Sequence, residues 1–143
     1  MTNVAQVLQQ KSEQIVFTIT PESTVFDAIL LMANKGIGAL VVIEHEHVVG
    51  ILSERDYTRK IALMERASYS TTVAEIMTAK VLTVTRQTTV EECLELMTDR
   101  HLRHLPVVED TRLVGLISIG DLVKATMEDQ KKLIDQLQQY ISG

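Results

Sequence analysis

The chain has 143 residues, of which 45% are hydrophobic and 23% are charged, and this balance is typical of a folded globular protein, not a disordered one. A net charge of −5 and an aromatic content of 3% argue against binding to a nucleic acid duplex and against base-stacking modules. The single cysteine, Cys93, excludes an intrachain disulfide, and without a signal-peptide pattern or a long apolar run we expect a cytoplasmic protein that spans no membrane.

The second half of the sequence repeats the first. Residues 16–20 return as residues 81–85, 65 positions later (81 − 16), and the same offset holds without a gap as far as Gly50, which returns as Gly115. A constant offset over this length indicates one supersecondary motif used twice. We therefore expect any function to depend on a pair of related sites.

In chain order, each repeat is predicted to form a strand, a helix, two strands and a second helix. The first strands are predicted at 16–20 and 81–85, where apolar residues alternate with polar ones. Thr24 and Thr89 each stand three positions before a carboxylate, as in a capping box, and open helices in which apolar residues recur at spacings of three and four. The remaining strands are predicted at 40–43, 48–52, 105–108 and 113–117.

The second helix of each repeat is predicted to begin near Ser53 and near Ser118. A short helix is also predicted before each repeat, because residues 4–8 resemble residues 73–77 and the second of these segments follows a capping-box pattern. The offset between the short helices is 69 (73 − 4), so the first repeat carries four more residues before its first strand.

The last segment, residues 121–140, contains no glycine or proline and carries Leu133 and Leu137 on one face of a predicted helix. This helix extends further than its counterpart in the first repeat. It either packs on its own domain or forms a contact between two copies of the chain, and the sequence leaves both alternatives open.

Residues 50–56 and 115–121 share one motif: a glycine, a serine three positions later and an aspartate three positions after that. The glycine allows a ligand to approach the strand backbone, and a serine at a helix N-terminus can hold a phosphate or a hydroxyl. The aspartate can accept hydrogen bonds from both hydroxyls of a ribose. Ser-x-x-Asp is also an ordinary helix cap, so a purely structural role stays open. The candidate binding residues are Ser53, Asp56, Ser118 and Asp121.

These motifs resemble those of the cystathionine β-synthase (CBS) domain family. The resemblance is carried by residues 39–43, 50–56, 103–108 and 115–121. It implies an α/β (α+β) fold of two tandem β-α-β-β-α units related by a pseudo-two-fold axis, which is a CBS pair or Bateman module. The domains are predicted at 1–65 for the first CBS domain, 66–126 for the second and 127–143 for a C-terminal helix.

The resemblance implies that the two clefts bind adenosine-containing molecules, namely AMP, ADP, ATP, NAD or S-adenosylmethionine. In the family the aspartates hold the ribose and the serines reach the phosphate or ribose region. The resemblance places Thr18, Leu40, Thr83 and Pro106 near the adenine and Gly38, Ala39, Arg103 and His104 near the phosphates.

The two sites are not expected to be equivalent. An acidic chain places two arginines and two histidines within residues 100–104, which suggests an anionic ligand held by Arg103, with Arg100 left to complement the helix dipole. Arg55, beside the first motif, is a further candidate and has no counterpart beside Asp121. We therefore expect the first repeat, helped by Arg103, to hold the more highly charged ligand.

No pair of side chains resembles a nucleophile with its base, so we expect no catalytic residues and no enzyme activity. His45 and His47 lie in a predicted hairpin turn without an accompanying cysteine, and His101 and His104 lie in the predicted phosphate loop, so we expect no metal site. The sequence instead predicts a regulatory sensor that reports energy or nucleotide state to an unidentified partner protein. We expect a homodimer, formed by the helices that begin at Val25 and Val90 or by their successors, with the C-terminal helix adding to the contact. The alternative is a structural dimerisation module with empty clefts.

Overall fold

The structure, a computed structural model, describes residues 1–11 and 15–142. Its residues group into two compact units that interleave along the chain. The repeat-1 unit consists of Ile15–Leu82 with Glu109–Val114, and the repeat-2 unit consists of the described parts of Met1–Gln14 and Gly115–Gly143 with Thr83–Val108. This grouping follows spatial contacts and not the repeat in the sequence, so the predicted domain boundaries stay predictions.

The elements follow the predicted order except at the first strand of the second repeat, and the mixed α/β fold class is confirmed. In chain order they are α1 (Val4–Gln10), β1 (Thr18–Ile19), α2 (Val25–Lys35), β2 (Ala39–Glu44), β3 (His47–Ser53), α3 (Glu54–Tyr57), a π-helical segment (Thr58–Ala62), α4 (Val73–Ile76), α5 (Val90–Arg100), β4 (His104–Glu109), β5 (Arg112–Ser118) and α6 (Ile119–Ser142).

The repeat-1 unit is built on a three-stranded sheet in the order β1-β2-β3. Strand β1 runs parallel to β2, and β2 runs antiparallel to β3 with Leu40 opposite Leu52. The apolar face of α2, which carries Val25, Ala28 and Met32, belongs to the same buried cluster as these two leucines. The helical periodicity predicted from Val25 is therefore confirmed, and its apolar stripe is the core of this unit.

The repeat-2 unit differs at its first strand. Strands β4 and β5 form a two-stranded sheet, and the strand predicted at 81–85 is reduced to a single parallel bridge between Val84 and Val107. The N–H and the carbonyl of Val84 both pair with β4, and the backbone N–H of the next residue, Thr85, donates to Oγ1 of Thr88 at 3.1 Å. The prediction of a full strand here was wrong, and the strand predicted at 16–20 is shortened to Thr18–Ile19.

The predicted helix starts are confirmed by their caps. Thr24 and Thr89 accept the backbone N–H groups of the third helical residues at 3.1 and 3.2 Å. Thr72 forms a reciprocal capping box at the start of α4, as its sequence predicts, and Asn3 forms another at the start of α1. Each cap is worth about 1 kcal/mol, so the helix boundaries are set locally.

The two motif glycines make room for side chains of the short helices. A Cβ at Gly115 would lie 2.7 Å from Cδ2 of Leu8, and a Cβ at Gly50 would lie 3.0 Å from Cγ of Met77 and 3.2 Å from the carbonyl oxygen of Thr78. Helix α1 therefore packs on β5, and α4 packs on β3. The prediction that these glycines open the strand backbone to a ligand was wrong, because the chain's own side chains cover them.

Helix α6 packs against α5 and α1 through its first turns and buries Leu122 and Ala125. The remainder of the helix, from Thr126 to Ser142, contains no buried residue. Packing on its own unit and contact with a second copy of the chain both remain open for this helix, since its first turns pack on their own unit and the rest is exposed. Within residues 1–11 and 15–142, no helix combines the length and hydrophobicity that a membrane span requires.

Candidate functional site

Each Ser-x-x-Asp motif forms a reciprocal cap at the end of a strand. In the repeat-1 unit, the Ser53 N–H donates to Oδ2 of Asp56 at 2.9 Å, and the Asp56 N–H donates to Oγ of Ser53 at 3.2 Å. In the repeat-2 unit, the same two bonds join Ser118 and Asp121 at 2.9 and 3.1 Å. The structural role that the sequence left open is therefore present in both copies, and it fixes both carboxylates in half-buried positions.

Main-chain pairing brings the remaining predicted residues of the repeat-1 unit to the motif. Ala39 lies opposite Ser53 in the register of β2 and β3, and the Glu54 N–H donates to the Gly38 carbonyl at 3.0 Å. Thr18 lies on the other side of β2, opposite Val41, and is exposed.

The equivalent pairing organises the repeat-2 unit. The Ile119 N–H donates to the Arg103 carbonyl at 2.9 Å, just as Glu54 does to Gly38 in the other unit. The Val84 N–H donates to the Pro106 carbonyl at 3.0 Å, which places the exposed Thr83 next to β4. The side chains of Pro106 and, in the repeat-1 unit, of Leu40 are buried, so a ligand would meet these two residues mainly through the backbone.

An unpredicted lysine holds the carboxylate of the repeat-2 unit. Nζ of Lys11, the residue that ends α1, lies 2.9 Å from Oδ2 of Asp121 and also donates to the Leu116 carbonyl at 2.9 Å. In the repeat-1 unit, Asp56 instead faces Lys60 of its own helical segment, with Nζ 3.4 Å from Oδ1. The two carboxylates are thus neutralised by lysines from different parts of the chain.

The charges around Asp121 act on one another. Burial by itself would raise the pKa of Asp121, but hydrogen bonds from Ser118 and the ammonium of Lys11 outweigh it and lower the pKa below its ordinary value. Burial also lowers the pKa of His104. The charge of Asp121 acts in the opposite direction, and the charges of Lys11 and Arg103 lower the pKa further. His104 is therefore less readily protonated than a solvent-exposed histidine. Lys11, Arg103, His104, Ser118 and Asp121 form one electrostatic cluster, which we call the repeat-2 site.

The repeat-1 site, formed by Gly38, Ser53, Glu54 and Asp56, has a different charge pattern. Where the other repeat has Arg103 and Ile119, this one has Gly38 and Glu54, and a Cβ added to Gly38 would lie 3.7 Å from Oε1 of Glu54. A second carboxylate therefore stands where the repeat-2 site carries an arginine. The predicted site residue Arg55 is exposed and makes no ion pair with any described residue.

The CBS domain model matches residues 12–63 and 73–128. The chain belongs to the CBS domain family. It carries two tandem CBS domains, as the motifs indicated.

Relatives of this CBS pair match it over most of its length. It is 39% identical to the CBS domain-containing protein CBSX3, mitochondrial, of Arabidopsis thaliana, over 99% of this chain and 73% of that protein. A proposed signal-transduction protein with CBS domains from Burkholderia ambifaria MC40-6 is 52% identical, with a TM-score of 0.86 over 90% of this chain and 96% of the other. A hexameric CBS-CP12 protein from bloom-forming cyanobacteria is 28% identical, with a TM-score of 0.76 over 86% and 70% of the two chains.

Two site residues of this CBS pair escaped the sequence analysis. Lys11 is 110 positions from Asp121, and Glu54 was recognised only as part of a cap-like motif. A signal for Lys11 did exist: Lys80 follows α4 at the same offset of 69 (80 − 11) that relates the two short helices. What the sequence could not show is that Lys11 reaches a carboxylate while Lys80 is exposed, without an ion pair to any described residue.

Other candidate chemistry in this CBS pair is weak. Cys93 is buried, and burial raises the pKa of its thiol to about 11, which makes it a poor nucleophile. In the described parts of the chain, no three His, Cys, Asp or Glu side chains come together in an arrangement that could hold a metal ion.

Proposed function

We propose that this CBS pair is a regulatory module that binds an adenosine-containing nucleotide and signals nucleotide state to a partner protein. The observation that carries the proposal is the repeat-2 site. A fixed, half-buried carboxylate suited to ribose hydroxyls stands there among Lys11, Arg103 and His104, which suit a phosphate. AMP, ADP, ATP, NAD and S-adenosylmethionine all combine an adenosine with a charged group.

The charge pattern favours the repeat-2 site for the more highly charged ligand. This reverses the expectation from the sequence, which rested on Arg55. A phosphate close to Gly38 would meet the carboxylate of Glu54, whereas a phosphate close to Arg103 would meet a guanidinium. We propose that the repeat-1 site binds either a less anionic ligand or none.

A melting-temperature screen tests the proposal. The full chain is heated with AMP, ADP, ATP, NAD or S-adenosylmethionine, each at a series of concentrations up to the millimolar range. A ligand at 100 times its dissociation constant adds about 2.7 kcal/mol to the free energy of unfolding, so a clear upward shift is expected for at least one of them. No shift with any of the five would favour the structural dimerisation module with empty clefts.

We also propose that the pair self-associates as a homodimer through α6. Val123, Met127, Ile134, Leu137 and Ile141 are about half exposed or more and recur at alternating heptad spacings, with Gln130 between the second and third. The hexameric relative supports self-association within the family. The apolar stripes of α2 and α5 are buried in their own units, which favours the successor helix α6 over these two for the contact.

Light scattering tests the dimer. The wild-type chain is expected to be a dimer at micromolar concentration, and Leu137→Asp is expected to make it a monomer, because the variant places a charge in the apolar stripe. Gln136→Asp is the matched control, since it adds the same charge one position outside the stripe. A wild-type monomer at these concentrations would contradict the proposal.

We further propose that the module acts without enzyme activity of its own. This absence, the absence of a metal and the cytoplasmic location stay predictions from the sequence.

A further inference from the structure

Lys11 is held in place by the fold and does not meet Asp121 by chance. Three residues earlier, Leu8 packs over Gly115 of β5 and anchors α1. The Lys11 backbone N–H then closes the helix by donating to the Leu8 carbonyl at 3.3 Å, and the side chain donates to the carbonyl of Leu116 on the same strand. These contacts position the Lys11 ammonium beside Oδ2 of Asp121.

This ion pair occupies one of the two carboxylate oxygens that a ribose needs if both of its hydroxyls are to donate to Asp121. Oδ2 of Asp121 already accepts the Ser118 N–H, and Nζ of Lys11 is its second donor. An entering ribose would have to share or replace that second donor. The pair is partly exposed, with side-chain exposures of 27% for Lys11 and 22% for Asp121, and exposed pairs of this kind are weak enough to exchange.

What happens to the displaced ammonium depends on the ligand. A neutral nucleoside offers the Lys11 ammonium no new partner, so displacing it from Asp121 breaks the ion pair without forming another interaction. A nucleotide brings a phosphate, to which the ammonium can turn together with the guanidinium of Arg103. We propose that Lys11 is a specificity-determining residue of the repeat-2 site, one that gives up Asp121 to ligands carrying a phosphate and disfavours those without one.

The repeat-1 unit has no equivalent of the Lys11–Asp121 pair among its described residues. Lys60 approaches Asp56 from four residues along the same helical segment and donates to the Ile76 carbonyl at 2.8 Å. Lys80, the positional counterpart of Lys11, is exposed. The selection for phosphate is therefore a property of the repeat-2 site, and it rests on the proposed function in that an adenosine ligand must bind there.

Calorimetry on the full chain with AMP and with adenosine tests the inference. The wild-type protein is expected to prefer AMP, and Lys11→Met is expected to reduce the ratio of the two affinities about tenfold or more, because adenosine loses its competitor and AMP loses a cation. Lys11→Arg keeps the charge and is expected to keep the preference. Lys80→Met, the matched control, is expected to leave the ratio within about twofold.

The possible failures are distinguishable. If Lys11→Met binds both ligands and keeps the wild-type ratio, the inference is overturned while the proposed function stands. If the wild-type protein binds neither ligand nor any of the five nucleotides, the proposed function and the inference both fall. A melting curve of each variant shows whether it is folded. If Lys11→Met is unfolded, a loss of the preference in a folded Lys11→Gln variant supports the inference, and retention overturns it.

Discussion

Each repeat holds an aspartate carboxylate in the same kind of helix cap, but the charged side chains around the two carboxylates differ. Asp56 has Lys60 beside it and Glu54 close to the backbone of Gly38, whereas Asp121 has a lysine from the far end of the sequence and an arginine in place of that glycine. The cap belongs to the fold and is therefore duplicated with it. The neighbouring charges differ between the two repeats, and we propose that they set which ligand each site accepts.

The helices after the two motifs differ as well. In the repeat-1 unit, α3 ends at Tyr57 and continues as a five-residue π-helical segment, whereas α6 runs for 24 residues. Helix α3 and its π-helical extension therefore end within their own unit, whereas α6 carries an exposed apolar stripe. The lysine–carboxylate pair that joins distant parts of the sequence and the exposed apolar stripe thus both belong to the second repeat.

The largest effect is expected from the glycines under the short helices. Gly50→Ala should destabilise the fold by about 1–3 kcal/mol, because the new methyl group is crowded by Met77 and by the fixed backbone of Thr78. Gly115→Ala should cost less, since Cδ atoms of the flexible Leu8 are the atoms it meets. Urea unfolding of both variants measures the difference. Equal losses would show that the two short helices pack alike.

A variant pair separates packing from backbone effects at the second glycine. Leu8→Ala removes the side chain that crowds position 115, so Gly115→Ala should cost less in that background than in the wild type. Strict additivity of the two substitutions would contradict the contact between Leu8 and Gly115.

An intermediate effect is expected from acid. The pKa of Asp121 is lowered in the folded state, so its contribution to stability is present above its unfolded pKa of about 3.9 and is lost as pH falls through the folded value. Asp121→Asn should therefore lower the free energy of unfolding by on the order of 1 kcal/mol at pH 7 and by less at pH 3. A loss that is the same at both pH values would show that the charge of Asp121 does not stabilise the fold.

Effects of about 1 kcal/mol or less are expected at the C-termini of α2 and α5. Gly36 and His101 are equivalent C-cap residues with φ of 64° and 55°, in the left-handed region that favours glycine. His101→Gly should raise stability by about 0.5–1 kcal/mol, and Gly36→Ala should lower it by about 1 kcal/mol. Chemical denaturation checks both. A destabilised His101→Gly would indicate that the imidazole makes a contribution larger than the strain of its backbone.

Local signals in the sequence predicted most of the fold. The helices after Thr24 and Thr89 follow from caps and spacing within a few residues, and the repeat offset places the second copy of each element. The strand predicted at 81–85 shows the limit of such signals, since its residues alternate like those at 16–20, yet only Val84 pairs with β4.

The candidate site was less predictable because its character depends on distant residues. Ser53 and Asp56 are recognisable from spacing, but the partner of Asp121 lies 110 positions away, and the glutamate beside Gly38 comes close through strand pairing. Arg55 is adjacent to the motif in sequence, is exposed and joins no ion pair within the described residues, so its role at the site stays a prediction. Which charges meet is decided by tertiary packing.

The claim that the two repeats have diverged into one phosphate-accepting site and one that disfavours phosphate is tested most directly by titrating AMP into Asp121→Asn and Asp56→Asn by calorimetry. Asparagine keeps most of the cap, so both variants should fold. Loss of a charged acceptor costs about 1.5–3 kcal/mol, so Asp121→Asn should bind AMP about tenfold more weakly or worse. Asp56→Asn should bind it within about twofold of the wild-type affinity. The opposite pattern, or equal losses in both variants, would contradict the account.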